Sequence, residues 1–96
     1  MTGKQKRYLR SLAHSLKPVV QIGKQGLSRE TLIQIEKQLD DHELIKVRVL
    51  EASPQDHREC NQALEKNESF EVVKLIWKTM ILYRTKKEKP TIKITE

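Results

Sequence analysis

The stretch Val19-Val20-Gln21-Ile22-Gly23-Lys24-Gln25-Gly26-Leu27-Ser28 decides how this chain folds. Val19 to Ile22 is β-branched, apolar and bounded by Pro18 and Gly23, and reads as a short buried strand. Ser28 is a good helix N-cap, with Glu30 in the first turn to complement the dipole. The helix that follows runs to about Asp41 and buries Leu32, Ile35 and Leu39 at helical spacing. A strand therefore enters a glycine turn and a helix leaves it. Two readings of that turn stand side by side. In one it is a tight connection in which Gly26 supplies a left-handed residue. In the other, Gly23 and Gly26 let another molecule approach the backbone, while Lys24 and Gln25 project between them. The free amides and positive end of the helix face the same space, which suits a phosphate. The spacing is not that of a nucleotide P-loop, because the terminal Lys-Ser/Thr is missing.

Working toward the N-terminus, Thr2 caps a first helix over about Lys4 to His14, ended by Lys17-Pro18. Its apolar stripe is Leu9, Leu12, Ala13 and Leu16. Lys6, Arg7, Arg10 and His14 fall together beside that stripe at 100° per residue. Working toward the C-terminus, Leu44 to Leu50 is the clearest strand: Ile45, Val47 and Val49 alternate with Lys46 and Arg48, one face apolar and the other basic. Ser53-Pro54 predicts the start of a third helix, with Pro at its first position, reaching about Lys66 on a stripe of Cys60, Ala63 and Leu64. Phe70 to Ile76 and Thr79 to Arg84 predict two strands joined tightly around Trp77-Lys78. Residues 1–84 thus form one domain, and 85–96 a basic tail whose last six residues either add a short strand or stay disordered. Strands alternating with helices and closed by a hairpin give an α/β two-layer sandwich, with three helices and a four-stranded mixed sheet in the order α-β-α-β-α-β-β.

Charge is unevenly distributed. The chain carries 19 Lys plus Arg against 13 Asp plus Glu, net +6, with a sequence pI near 9.6. Residues 1–29 hold seven basic residues and no acid, 30–73 hold five basic and eleven acidic, and 74–96 hold seven basic and two acidic. Two positive ends around an acidic middle point to an anionic partner, nucleic acid before a membrane surface. The single Cys60 rules out an internal disulfide and, with no signal-peptide pattern, fits a cytoplasmic protein. No catalytic constellation can be assembled from the three histidines and the acid pairs. His57 and Cys60 offer two ligands where a structural zinc needs four, so no metal or cofactor is expected. The aromatic consensus of an RNA-recognition motif is absent. Trp77, in a bend where Gly or Asn is usual, either covers the sheet edge or stands out as a platform for a base.

Several spaced motifs now carry a resemblance. The run from Thr2-Gly3-Lys4-Gln5-Lys6-Arg7 through Leu9-Arg10-Ser11-Leu12-Ala13-His14 to Leu16-Lys17-Pro18-Val19-Val20-Gln21-Ile22-Gly23-Lys24 is similar to the YhbY-like proteins. So are His42-Glu43-Leu44-Ile45-Lys46-Val47-Arg48-Val49 and Leu82-Tyr83-Arg84. These proteins are the bacterial single-domain members of the CRM family (chloroplast RNA splicing and ribosome maturation). The resemblance implies a fold like the C-terminal domain of bacterial translation initiation factor 3, with an extra N-terminal helix. It implies RNA binding through the GxxG loop, here Gly23, Lys24, Gln25 and Gly26, with basic residues around it. It also implies an association with precursors of the large ribosomal subunit. The chain departs from the family pattern at Trp77, which stands at a usual glycine.

The expected protein is a non-catalytic, monomeric RNA-binding domain that assists large-subunit assembly by gripping precursor rRNA. Lys6, Arg7, Arg10, Lys17 and Arg29 supply the field around the loop, and Lys46, Arg48 and Arg84 extend it. The rival expectation is a protein-interaction module whose acidic middle docks on basic ribosomal proteins.

Overall fold

The computed structural model describes residues 1–85 and Ile92. The elements follow the expected order: α1 (Gly3–Ala13), β1 (Pro18–Ile22), α2 (Arg29–His42), β2 (Leu44–Val49), α3 (His57–Glu65), β3 (Glu71–Ile76) and β4 (Thr79–Tyr83). The sheet order is β1-β2-β4-β3. β1 runs parallel to β2, as a strand–helix–strand crossover through α2 requires. β2–β4 and β4–β3 are antiparallel. The ladder irregularities fall on the two outer strands, between Pro18 and Val20 and between Val72 and Lys74, where a break in pairing blunts an exposed edge. The proposed tail, residues 85–96, lies outside the described residues except for Thr85 and Ile92.

α2, α3 and the sheet make the two main layers. Alternate residues of β2 (Ile45, Val47, Val49) meet Val20 and Ile22 of β1, Met80 and Leu82 of β4, and Ile35, Leu39, Cys60 and Leu64 of the helices. The extra N-terminal helix lies on the opposite face, where Leu9 and Ala13 pack on Leu44, Val73, Ile81 and Tyr83. That face of β2 continues from Leu44 to half-buried Lys46 and exposed Arg48, so α1 covers part of it only. No helix among the described residues is long and apolar enough to cross a membrane.

Four sequence expectations need correction. The third helix starts at His57, not at Ser53-Pro54. Asp56 accepts from the Glu59 amide at 2.8 Å and the Glu59 carboxylate accepts from the Asp56 amide at 3.1 Å, and this reciprocal capping box outcompetes the Ser-Pro start. Ala63 is exposed, leaving Cys60 and Leu64 as the buried stripe. Leu12 and Leu16 are more than a third exposed, because only the Leu9–Ala13 side of α1 reaches the sheet. Val19 is exposed on the outer strand, whereas its neighbours Val20 and Ile22 face the core.

Candidate nucleic-acid interface

The glycine turn stands at the C-terminal end of β1. The Gly26 amide donates to the Gly23 carbonyl at 2.9 Å, closing the turn and leaving Lys24 and Gln25 exposed at its tip. No hydrogen bond among the described residues takes the Lys24 and Gln25 amides. The two glycines have different reasons to be glycine. Gly26 is buried at φ +61°, and a Cβ there would come within 2.1 Å of Gln55 Oε1 and 2.9 Å of Pro54 Cγ. Both the backbone conformation and the neighbours demand glycine. A Cβ on Gly23 would meet only Leu50 Cδ1, at an ordinary 3.8 Å. Intramolecular geometry therefore explains Gly26 in full and makes no such demand at position 23.

The turn is held from both sides. Gln55 accepts from the Leu27 amide through Oε1 at 3.1 Å, and Thr31 Oγ1 donates to the Gly26 carbonyl at 3.0 Å. Ser28 Oγ accepts from the Thr31 amide as the N-cap of α2. Gln55 is itself fixed: its carbonyl accepts from Ser53 Oγ at 2.7 Å and from the Cys60 thiol at 3.7 Å. Burial pushes the Cys60 thiol above its ordinary value, the Ser53 hydrogen bond pulls it down, and Asp56 and Glu59 raise it further. The thiol is a buried, protonated prop under the loop. Gln55 was not foreseen from the sequence, and nothing local marks it, because its partner lies 28 residues away.

Among the other predicted residues, the fold gathers some and separates others. Arg7, Arg10 and His14 of α1 line one groove with Lys46, Ile76 and Ile81. Lys46 Nζ reaches the His14 carbonyl at 3.5 Å. Arg48 continues this strip two residues further along β2, toward the end where the glycine turn stands. Arg29 opens α2 beside the turn. Among the described residues none of Arg7, Arg10, Lys24, Arg29, Lys46 and Arg48 forms an ion pair. Lys74, exposed and paired with Ile81 in the sheet, lies on the same face and adds a cation to those predicted.

Three predicted residues fall elsewhere. Lys6 borders a hollow at the start of β3 with Glu65, Glu68 and Glu71. Lys17 precedes β1 and so stands at the opposite end of the sheet, beside Leu12, Leu16 and Val19. Arg84 is also at that end, past β4. Its guanidinium hydrogen-bonds the Glu36 carboxylate, the Glu36 carbonyl at 3.0 Å and Asp40 at 2.5 Å. Burial disfavours its charge, but the hydrogen bonds and charges of Glu36 and Asp40 outweigh that and hold its pKa above the ordinary arginine value. Arg84 is therefore neutralised within the fold. No group of three or more His, Cys, Asp or Glu placed to hold a metal occurs among the described residues.

This mixed sheet, backed by two helices and bearing a GxxG turn between β1 and α2, defines an α/β domain with a basic end. The CRS1 / YhbY (CRM) domain model matches residues 1–84, and the chain belongs to that family. It is 42% identical over 94 residues to "Probable RNA-binding protein YqeI" of Bacillus subtilis, covering 98% of each chain. It is 38% identical over 88 residues to a protein of Haemophilus influenzae named "RNA-binding protein", covering 92% of this chain and 89% of that one. The solution structure of SAV1595 from Staphylococcus aureus superposes with a TM-score of 0.80 at 42% identity and 99% coverage of both chains.

Proposed function

We propose that this protein is a non-catalytic RNA-binding domain of the cytoplasm that binds precursor rRNA and assists assembly of the large ribosomal subunit. The observation that carries the RNA-binding part is the pairing of an open GxxG turn with six cations that have no acidic partner among the described residues. An exposed cation left without a carboxylate is available to a phosphate, and a turn with a permissive glycine and unclaimed amides can receive one closely. The relatives named as RNA-binding proteins support the same reading. The ribosomal part rests on the resemblance of the sequence motifs to the YhbY-like proteins.

In this reading Lys24 and the turn amides hold one phosphate, with Gly23 and Gly26 shaping the approach. Arg29 flanks the turn at the start of α2, and Arg48, Lys46, Arg10 and Arg7 then track the strand across the α1 side of the sheet. Such contacts fix position and supply affinity without reading sequence. The test is a salt series on binding to large-subunit precursor rRNA fragments. If about six phosphates are neutralised, log affinity should fall against log salt with a slope of roughly −4 to −5. Lys24→Glu and Gly23→Asp, checked for folding, should weaken binding by more than about tenfold, since each places a carboxylate where a phosphate sits. A slope near zero, or full affinity in both variants, would remove the loop from the interface.

A further inference from the structure

We propose that Trp77 is a stacking platform for an unpaired RNA base, set beside the backbone-gripping loop. This deepens the RNA-binding reading and rests on it. Trp77 is the first of two residues joining β3 to β4, and it is 76% exposed, more than any other large apolar side chain described. Its φ is +55°, while Lys78 does not share a positive φ. That is the pattern of a type II′ hairpin turn, whose first position favours glycine. The position thus combines a left-handed backbone on a bulky residue with a fully presented indole. Either alone is unfavourable, and burial within the chain offsets neither. The ring lies beside His57, with centroids 5.9 Å apart and planes tilted by 33°, and Lys78 Nζ is 5.9 Å from its centroid. Lys78 in turn faces Glu51 at 3.8 Å. These contacts steady the indole without covering it.

Its place in the sheet connects it to the cations. The Lys78 carbonyl accepts from the Val49 amide at 2.8 Å, and the Ile22 carbonyl accepts from the Leu50 amide at 2.9 Å. The hairpin, the end of β2 and the start of the glycine turn are therefore stitched into one end of the molecule. β1 and β4 are separated there by β2 alone, two strand spacings of ~4.8 Å each. One short single-stranded segment spans that distance. With its phosphates near Lys24, a base turned outward meets the indole. Stacking tolerates any base and needs an unpaired one, so Trp77 would select single-stranded or looped RNA over duplex.

Trp77 is the only tryptophan in the chain, so its fluorescence reports this position alone. The experiment titrates the full chain with a short single-stranded RNA and with an abasic strand of the same phosphate count, following both fluorescence and affinity. The RNA should change the emission of the wild type and the abasic strand should not. Trp77→Gly, which suits the turn backbone, should fold normally by circular dichroism and lose about 5- to 100-fold in affinity for the RNA. It should bind the abasic strand like the wild type. Trp77→Phe, which keeps an aromatic face, should recover most of the lost affinity. If the wild type binds RNA while its emission stays fixed and Trp77→Gly loses nothing, the platform is overturned and the backbone grip stands. If the wild type binds neither strand at any salt concentration, the RNA-binding reading falls and the platform falls with it.

Discussion

The two ends of the sheet are held in opposite ways. At the end where β4 finishes and β2 begins, charge is closed on itself. Arg84 is shared between Glu36 and Asp40 of α2, and its amide donates to the Glu43 carbonyl at 2.9 Å. Glu43 is fully buried at φ +64°, ends α2, and accepts from the Ile92 amide at 3.2 Å. At the other end the supports are neutral: the Gln55 side chain, the Ser28 and Thr31 hydroxyls and the Cys60 thiol. Of the cations there and along the adjoining strip, Lys24, Arg29 and Arg48 have no ion-pair partner among the described residues, while Lys78 faces the exposed Glu51 at 3.8 Å. One fold thus uses arginine as internal mortar at one end and leaves its cations outward at the other. Net charge alone does not distinguish the two uses; the position of the acids does.

The largest expected effect breaks the closed end. Arg84→Ala removes a guanidinium that serves two carboxylates and a carbonyl, and should lower stability by about 1–3 kcal/mol. RNA affinity of the folded protein should stay unchanged. Urea melts and binding measured on the same samples separate the two effects. A fall in affinity without a loss of stability would put Arg84 back in the interface. The next effect divides the two glycines. Gly26→Ala forces a Cβ into a left-handed backbone beside Gln55 and Pro54, and should lower stability by about 1–2 kcal/mol. Gly23→Ala should change stability by no more than ~0.5 kcal/mol, since its Cβ meets ordinary space. Equal losses at both positions would make Gly23 a second structural glycine and weaken its assignment to the interface.

This asymmetry also sets how much was legible in the sequence. Elements marked by local signals were readable: the alternation of Ile45, Val47 and Val49, the Ser28 cap, and the Pro and Gly that bracket β1. The third helix was misplaced where two local signals compete, Ser53-Pro54 against the Asp56 and Glu59 box, and reciprocal hydrogen bonding wins. The core side of α1 was half right, because a helical wheel shows a stripe without showing how much of it a four-stranded sheet can cover. The glycine turn and the Arg7, Arg10, Lys46 and Arg48 strip follow from one helix face and one strand face. Arg84 could not be placed that way, since its acids come from 44 and 48 residues earlier in the chain. Lys17 was misgrouped for a related reason: it is close to the loop in sequence, but a strand of ~3.3 Å per residue carries it to the far end. Charge in sequence names the candidates, and topology decides which of them share a face.

A smaller effect sharpens the contrast from the loop side. Asp56→Ala removes one half of the α3 capping box and should cost about 1 kcal/mol of stability. The loop that carries Gln55 starts α3, so fraying there should also loosen the glycine turn. Amide exchange at Leu27, whose partner is Gln55, should then rise more than exchange at Glu43, whose partner Leu39 lies at the closed end. Equal rises would show that the two ends unfold as one unit.

The smallest effect comes from the prop beneath that loop. Burial holds the Cys60 thiol above its ordinary value, with Asp56 and Glu59 adding to the shift against the Ser53 hydrogen bond. The native state therefore keeps its proton where the unfolded chain begins to lose it. The contribution is complete below the ordinary thiol pKa. It declines as pH rises through that value, because the unfolded state then binds fewer protons, and it stops changing above the raised native value. Comparing wild type with Cys60→Ala by urea melts isolates this group, since every other titration cancels in the difference. The stability advantage of the wild type should shrink from neutral to alkaline pH. An advantage that stays flat would mean that Cys60 supports the loop through packing alone.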